Sequence, residues 1–363
     1  MMSAGLLGAA TLLVALLAVL VYAAYLSGHW YFVDRVPDEI HFAATGDGWR
    51  IAIMRYRPST PNGSDPVLLC HGLAANHLNL DLSDRVSLAR FLARAGYDVW
   101  SIELRGRGLS TRPRPFSRYR YDWSFDEYVE QDFPAALAEV RRATGRQKLH
   151  LVGYSLGGMV AYAVLADPSW GTSVRSAVVI AAPATFRFQS RYLFSWPLRS
   201  FRWLRHRFLA RLFAPLAGNK FLPSVRLLYE RDNVPGSVIR RFMTNATASF
   251  SRNELLQMSD WIAQDSFRSI DHRRDYRSEM KAIAVPILFV AGNRDRLAPL
   301  PSVKDAYSLV GSGEKLLVVA SRAEGMSANY GHLDLVLGNK AAEEIFPLVS
   351  SWLDRHSRTL EQD

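Results

Sequence analysis

The residue best placed to do chemistry in this sequence is Ser155, in the stretch VGYSLGGMV (residues 152–160). A strand ending at Tyr154 and a helix starting at Ser155 can join without a loop only through a sharp, strained turn. Gly153 and Gly157 lack the Cβ atoms that would collide across such a turn. The pattern therefore predicts a serine hydroxyl exposed at the end of a strand, beside a helix N-terminus. A helix that merely begins with a serine N-cap has the same local sequence.

A serine hydroxyl is a weak nucleophile near neutral pH, so it needs a base and a third group that orients the base. Asp295 follows the apolar run PILFVAGN by two residues, and His332 lies in NYGHLDL after the next apolar run. The carboxyl ends of parallel strands deliver side chains to one edge of a sheet. We therefore expect Ser155, Asp295 and His332 to form a catalytic triad.

An attacked carbonyl also needs donors for the negative oxygen that develops on it. LLCHGLAAN (residues 68–76) ends an apolar run with His71 and Gly72, after which the N–H of Leu73 can turn toward the serine. We predict an oxyanion hole made by the backbone N–H groups of Leu73 and Leu156, each worth about 3 kcal/mol in the transition state. His71 is interpreted as structural, because no acid is placed to orient it as a base.

Other histidines and acids compete for the catalytic roles. His77 and His272 are expected to face solvent or to lie in the cap described below. Asp334 lies at an expected helix start, where a carboxylate is favoured by the helix dipole. Asp271 and Asp275 are the alternative candidates for the acid of the triad.

The elements that must position these residues follow from the hydrophobic pattern. Two predicted strands, EIHFAAT and WRIAIMRYRP, come first. Further predicted strands are PVLLC (66–70), YDVWSIEL (97–104), KLHLVGY (148–154), SAVVIAAP (176–183), VPILFVAGN (285–293) and KLLVVAS (315–321). Helical patterns lie between them, near 82–94, 126–142, from 155, near 301–310 and near 340–355. The alternation predicts an α/β fold with a mostly parallel, doubly wound sheet.

The strand followed by HG, the Gly-x-Ser-x-Gly turn, the acid after a later strand and the final histidine together resemble the α/β-hydrolase superfamily, over roughly residues 40–356. WSFDEYVEQDFPAAL, VPILFVAGNRDRLAP and YGHLDLVLGNKAAEEIFPLV are similar to the acid lipase branch, which includes gastric and lysosomal lipases. That resemblance implies esters of long acyl chains as substrates. The serine is flanked by Tyr and Leu, where those lipases usually have His and Gln.

The strand and helix alternation stops at residue 184 and resumes at residue 284. We therefore expect three parts: an N-terminal anchor (1–28), an α/β-hydrolase core (38–183 and 284–358) and an inserted helical cap (184–283).

The first part of the cap is rich in Arg, Trp, Phe and Leu. Its apolar residues at helical spacing are Phe201, Leu204, Phe208 and Leu212, with Arg205 inside the stripe. One interpretation is a membrane-leaning lid that admits acyl chains to Ser155. The other is a cap that packs on the core and leaves its arginines in solvent.

Residues 1–26 carry no charged side chain and are long enough to cross a bilayer core of about 30 Å as a helix. A cleaved signal peptide is the competing interpretation, since Val21-Tyr22-Ala23 offers small residues at usable spacing. No Lys or Arg precedes the apolar run, whereas several arginines follow it. This asymmetry favours a single-pass anchor with a cytoplasmic catalytic domain. Export after signal cleavage is the alternative.

The composition limits which partners the protein is expected to bind. The net charge of +10 is explained by attraction to an anionic surface or by a simple arginine bias of the sequence. No nucleic-acid-binding signature is found, so no nucleic acid partner is expected. Cys70 is the only cysteine in the chain, which excludes an intramolecular disulfide, and its apolar neighbours predict a buried, inert thiol.

These observations predict a serine ester hydrolase of the lipase or carboxylesterase type that cleaves lipophilic acyl esters through an acyl-enzyme on Ser155. No metal and no cofactor are expected. The alternatives are an acyltransferase or thioesterase that uses the same triad, and a non-catalytic protein that keeps the fold to bind a lipid or a protein partner.

Overall fold

The computed structural model describes residues 2–189, 206–218 and 227–357, and its centre is an eight-stranded sheet. The strands are β1 (Glu39–Ala44), β2 (Arg50–Tyr56), β3 (Val67–Cys70), β4 (Val99–Glu103), β5 (Leu149–Tyr154), β6 (Val174–Ile180), β7 (Ile287–Gly292) and β8 (Lys315–Ala320). Their spatial order is β1-β2-β4-β3-β5-β6-β7-β8. Strand β2 is antiparallel to β1 and β4, and all other neighbours are parallel. The predicted mostly parallel α/β sheet is confirmed.

Helices connect and cover the strands. They are α1 (Met2–Trp30), α2 (Leu88–Arg94), α3 (Phe133–Thr144), α4 (Leu156–Ala166), α5 (Pro168–Gly171), α6 (His206–Phe213), α7 (Gly236–Arg241), α8 (Arg252–Gln264), α9 (Tyr276–Glu279), α10 (Leu300–Leu309), α11 (Asp334–Leu337) and α12 (Phe346–Arg355). Single π-helical turns precede α3 and α12 and follow α7. Helix α4 is buried over its whole length, because it packs on the central strands β5 and β6.

Between β6 and β7 the chain forms helices α6 to α9 within its described residues. This segment is tied to the core by an ion pair between Arg107 and Glu254, 2.7 Å apart, in which both side chains are fully buried. Glu254 also accepts a hydrogen bond from the Tyr128 hydroxyl at 2.9 Å. Breaking such a pair leaves an uncompensated buried charge, so the contact fixes the inserted segment against the sheet.

Helix α1 is the N-terminal apolar segment. Its span from Gly8 to Trp30 has a mean hydropathy of 2.4, and its length and composition fit a membrane-spanning helix and a signal sequence alike. The end of α1 contacts α6, and Ala24 and Ser27 are buried there. The side chain of Asn245, in the π-helical turn after α7, donates to the carbonyl of Tyr31 at 2.7 Å. The segment that leaves α1 is thereby attached to the inserted helices.

One predicted helix starts later than expected, and part of the predicted stripe in the cap lies outside the described residues. The helix expected near 82–94 begins only at Leu88, since Ser87 is its N-cap and accepts a hydrogen bond from the N–H of Arg90 at 3.0 Å. In the amphipathic stripe of the cap, Phe201, Leu204 and Arg205 lie outside the described residues. Phe208 and Leu212 lie on α6 and are half-buried.

Candidate active site

Ser155 lies in a strained turn between β5 and α4. Its φ of 55° and ψ of −117° are unusual for a residue with a side chain, and strain of this kind costs about 1 to 3 kcal/mol. The turn is held by the hydrogen bond from the N–H of Ser155 to the carbonyl of Ile180 at 2.8 Å. A Cβ on Gly153 would lie 2.4 Å from the carbonyl oxygen of Gly157, and a Cβ on Gly157 would lie 2.2 Å from that of Cys70. The two glycines therefore permit the turn sterically.

Three predicted side chains meet at this turn. The Nε2 atom of His332 lies 3.0 Å from the Oγ atom of Ser155, and its Nδ1 atom lies 2.7 Å from Oδ2 of Asp295. Because a carboxylate only accepts hydrogen bonds, Nδ1 carries the proton and the Nε2 lone pair of a neutral ring faces the serine hydroxyl. His332 and Asp295 are each 5% exposed, so their interaction is shielded from water. This arrangement can transfer a proton from serine to histidine.

Asp295 is oriented by its own loop after β7. Its Oδ1 atom accepts hydrogen bonds from the N–H groups of Leu297 and Ala298, both at 2.8 Å. These two donors occupy one carboxylate oxygen and leave the other for His332. The Asp295 carboxylate is thus fixed in position by its own loop.

The loop that carries His332 is held by Asp334. This buried carboxylate accepts hydrogen bonds from the N–H of Gly331 at 2.7 Å and from the side-chain amide of Asn233 at 2.7 Å. Burial raises the pKa of Asp334 to about 6. The sequence pattern indicated only a helix start at this position. Its role in positioning the histidine loop depends on Asn233 in the inserted segment, which the local sequence does not reveal.

The loop from His71 to Asn79 faces the serine turn, and it is called the oxyanion loop below after the role predicted for Leu73. Leu73 and Leu156 line the same cavity as Ser155. As the first residue of α4, Leu156 has an N–H without an intrahelical acceptor. The side chain of Asn79 accepts from the N–H of Gly72 at 3.0 Å and fixes the loop just before Leu73. The sequence does not point to Asn79, since its partner is set by the folded loop.

His71 has a structural position, as expected. It is fully buried, and burial lowers its pKa to about 4, which keeps the ring neutral. Its Nδ1 lies 2.8 Å from the carbonyl of Gly72, and the N–H of Leu104 donates to its Nε2 at 3.4 Å. One ring nitrogen therefore donates and the other accepts, which holds the loop to Leu104, the residue that follows strand β4.

The prediction for His77 is wrong. This residue is 9% exposed, and its Nδ1 lies 2.5 Å from Oε1 of the fully buried Glu103. Although burial favours the neutral acid, the hydrogen bond from His77 holds the pKa of Glu103 below its usual range. A partner on β4 thus draws a loop histidine into the interior, and sequence position alone does not indicate such a contact.

The alternative acids do not reach His332. Asp271 accepts from the hydroxyl of Ser269 at 2.7 Å in an exposed turn. Asp275 is the N-cap of α9, where it accepts from the N–H of Ser278 at 3.2 Å. His272 is exposed, as expected.

The serine turn opens into an apolar cavity of about 350 Å³. Residues of the hydrolase core and of the inserted segment line it together. They include Leu73, Met159, Phe186, Ala210, Leu227, Leu228, Phe242, Phe250 and Met258. A cavity of this size and polarity fits an apolar ligand better than a charged one.

The fold and this site define a class of protein. Residues 65–332 match the family described as alpha/beta hydrolase fold, so the chain belongs to that family, as the sequence resemblance predicted.

Curated relatives are named as lipases, which agrees with the predicted lipase branch and with a hydrolytic enzyme. Triacylglycerol lipase 2 of Arabidopsis thaliana is 23% identical over 91% of this chain and 83% of its own length. Lipase member M of Mus musculus is 25% identical over 85% of this chain and 81% of its own length. Gastric triacylglycerol lipase of Homo sapiens is 33% identical, over 42% of this chain and 41% of its own length.

Solved structures share the fold. A membrane phospholipase A described as a bacterial virulence factor superposes with a TM-score of 0.56 at 20% identity, over 98% of this chain and 99% of that chain. A thermophilic esterase from Thermogutta terrifontis superposes with a TM-score of 0.57 at 17% identity, over 88% of this chain and 100% of that chain. At these identities the likeness concerns the fold alone.

Proposed function

We propose that this enzyme is a serine ester hydrolase that cleaves lipophilic acyl esters, with Ser155 as nucleophile, His332 as general base and Asp295 as the orienting acid. The observation that carries the proposal is the continuous hydrogen-bonded series from Asp295 through His332 to Ser155, which ends at an apolar cavity. The names of the relatives as triacylglycerol lipases support the same reaction class.

Acylation begins when His332 accepts the hydroxyl proton of Ser155 and the serine oxygen attacks the ester carbonyl carbon. The carbonyl oxygen becomes negative and receives the N–H groups of Leu73 and Leu156, each worth about 3 kcal/mol. The imidazolium formed at His332 is stabilised by the carboxylate of Asp295. The tetrahedral intermediate then collapses: the C–O bond to the alcohol breaks, and His332 gives its proton to the leaving alcohol.

Deacylation repeats these steps with water. His332 deprotonates a water molecule, which attacks the acyl carbonyl carbon, and the same N–H groups stabilise the second oxyanion. The bond to the serine oxygen breaks, the acid leaves, and Ser155 recovers its proton from His332. The strained conformation of Ser155 keeps its Oγ in front of His332 through both halves of the reaction.

The apolar cavity supports a long or branched acyl chain as the group that is bound. Its wall includes Ala210 and His206 of helix α6 and Phe242 and Phe250 from the rest of the inserted segment. We therefore assign residues 184–283 as a cap over the hydrolase core (38–183 and 284–358). Movement of this cap would control entry of the chain.

We also propose that α1 is kept as a membrane anchor. Its exposed side chains between Leu12 and Tyr25 are apolar, and Leu12 and Val19 are 73% and 63% exposed. A continuous apolar surface of this length is unfavourable in water and is satisfied in a bilayer. The arginines that follow α1 favour a cytoplasmic catalytic domain. An intact-mass measurement on the protein purified from membranes tests retention, because cleavage after Ala23 would shorten the chain.

Hydrolysis of p-nitrophenyl esters from acetyl to palmitoyl by the full-length chain in detergent tests the proposed reaction, with Ser155→Ala as the control. We expect activity that rises with chain length and is lost in the variant. Activity that persists in Ser155→Ala would contradict the mechanism. If the wild type hydrolyses no ester but consumes a thioester or acylates an alcohol, the triad serves the alternative thioesterase or acyltransferase reaction.

A non-catalytic lipid-binding or partner-binding role is the remaining alternative. A binding protein has no use for a strained serine, a base with a free lone pair and an oriented acid in one hydrogen-bonded series. The geometry therefore favours the enzyme.

A further inference from the structure

A second cavity, of about 260 Å³, lies between the chain that follows α1, the oxyanion loop and helix α6. The residues that line it include Arg112, Arg207, Arg211 and His77. Among the described lining residues, Glu103 is the only carboxylate, and it is already bound to His77 and to the N–H of Leu109. We call this space the basic cavity.

Within the described part of the chain, no acidic side chain forms an ion pair with the three arginines of the basic cavity. The sequences of 190–205 and 219–226, the two internal stretches outside that part, contain no Asp or Glu. The Nε–H of Arg211 donates a hydrogen bond to the carbonyl of Thr244 at 3.1 Å. Counting only the described lining residues, the cavity therefore carries more positive than negative side chains.

Two buried polar atoms at this cavity lack a partner among the described residues: Nε of Arg207 and Nε2 of His77. A buried polar atom without a hydrogen bond costs about 1 to 3 kcal/mol. Glu103 holds the Nδ1 side of the His77 ring, so Nε2 is the position left for a ligand. Burial, together with the neighbouring charges of Arg211 and Arg112, lowers the pKa of Arg207. A bound anion would supply the acceptor that the Nε–H of Arg207 lacks within the described part of the chain.

The position of the basic cavity relative to α1 identifies the source of the anion. Phe32 and Val33 line it, and α1 ends at Trp30. This argument rests on the anchorage of α1 proposed above. A bilayer has a headgroup layer of about 5 to 7 Å on each side of its hydrocarbon core, and residues directly after a spanning helix lie in that layer. The exposed rings of Trp30 and Phe32 are typical of it.

We propose that the basic cavity binds the phosphate group of a membrane phospholipid. One planar guanidinium group can donate two parallel hydrogen bonds to the oxygens of a phosphate. Two or three arginines around one anion therefore form a strong binding site. The basic cavity also shares Thr247 and Ala248 with the catalytic cavity, and the N–H of Ala248 donates to the carbonyl of Ala74 in the oxyanion loop at 2.7 Å. A lipid held there lies against the wall of the active site.

The test is a lipid titration of the full-length Ser155→Ala chain in detergent micelles, read by native mass spectrometry. The ligands are dimyristoyl phosphatidic acid, dimyristoylglycerol with the same acyl chains but no phosphate, and inorganic phosphate alone. The test variant adds Arg112→Gln and Arg207→Gln, and the matched control adds Arg355→Gln, an exposed arginine on α12. Binding rather than turnover is measured, so the result is independent of the proposed hydrolysis.

We expect phosphatidic acid to bind at least about tenfold more tightly than dimyristoylglycerol, as charge-assisted hydrogen bonds imply, and the double variant to lose this preference while Arg355→Gln keeps it. Equal affinity for the two lipids, or a preference that survives the double variant, would overturn the proposal. Arginine-dependent binding of inorganic phosphate as tight as that of phosphatidic acid would overturn the lipid as its source. If the double variant unfolds, the single variant Arg112→Gln is used instead, since this side chain is exposed and its replacement should not disturb folding. An unchanged preference of that variant for phosphatidic acid over dimyristoylglycerol would then overturn the proposed site.

Discussion

Replacing Asp295 with Asn tests the proposed triad through hydrogen-bond geometry. The Oδ1 atom of Asp295 accepts from the N–H groups of Leu297 and Ala298 at 2.8 Å each. An asparagine must keep its carbonyl oxygen toward these two donors, so its NH₂ group faces Nδ1 of His332, 2.7 Å away in the wild type. His332 then has to accept at Nδ1 and carry its proton on Nε2.

That tautomer points an N–H at the hydroxyl of Ser155, so the histidine no longer accepts the serine proton. A triad with the wrong tautomer loses about 10⁴ in kcat, which corresponds to about 5.5 kcal/mol of transition-state stabilisation. The fold is expected to persist, because Asn and Asp have the same shape and Oδ1 keeps both of its donors. Loss of activity should therefore occur without a comparable loss of stability.

The assay is kcat/KM on a p-nitrophenyl ester, with thermal unfolding of each variant as the check on folding. Asp271→Asn and Asp275→Asn are the matched controls, and both should stay within about twofold of the wild type, since surface changes are nearly neutral and Asn replaces Asp well at an N-cap. Activity of Asp295→Asn within tenfold of the wild type would refute the reasoning. A collapse caused by Asp271→Asn or Asp275→Asn alone would reassign the acid.

Three further predictions follow from packing, ionisation and exposure. Gly157→Ala places a Cβ 2.2 Å from a backbone oxygen and should lower stability by about 1 to 3 kcal/mol, measured as a fall in Tm, whereas Gly313→Ala, with nothing within 4 Å, should not. Burial lowers the pKa of His150 to about 4, whereas a histidine in the unfolded chain has a pKa of about 6.5. The unfolded chain therefore takes up a proton first as the pH falls. The contribution of His150 to the free energy of unfolding is complete above pH 6.5 and is lost as the pH falls toward 4, by up to about 1.4 kcal/mol per pH unit. His150→Gln should make Tm less sensitive to pH between 7 and 5; an unchanged slope would contradict this. Val19→Arg, at a site 63% exposed, costs about 2.5 to 3.5 kcal/mol in a bilayer and should reduce the alkali-resistant membrane fraction, whereas Val19→Leu should not.

The sequence was informative where function depends on local backbone constraints. Gly153 and Gly157 are required because the strained turn at Ser155 has no room for a Cβ, so their spacing predicts the turn directly. The strand pattern predicts the positions of Asp295 and His332, because each of these residues comes soon after a strand of a parallel sheet. These features depend on short stretches of chain, and the strand pattern was clear enough to place them.

The sequence was uninformative where a residue depends on a distant partner. His77 is buried because Glu103 on β4 binds it, and Asp334 holds the histidine loop because Asn233 comes from the inserted segment. The contact between α1 and α6 is of the same kind. No periodicity or motif records which of many polar residues will meet after folding, so these contacts required the structure.

The most direct test of the central claim is covalent labelling by a fluorophosphonate, which phosphonylates an activated serine and expels fluoride. The full-length chain, treated in detergent and digested, should carry one phosphonyl group, on the peptide that contains Ser155, and His332→Ala should label far more slowly. No adduct is expected on Ser155→Ala. An unlabelled wild-type chain, or a label on another residue that persists in Ser155→Ala, would contradict the proposed role of Ser155 as nucleophile.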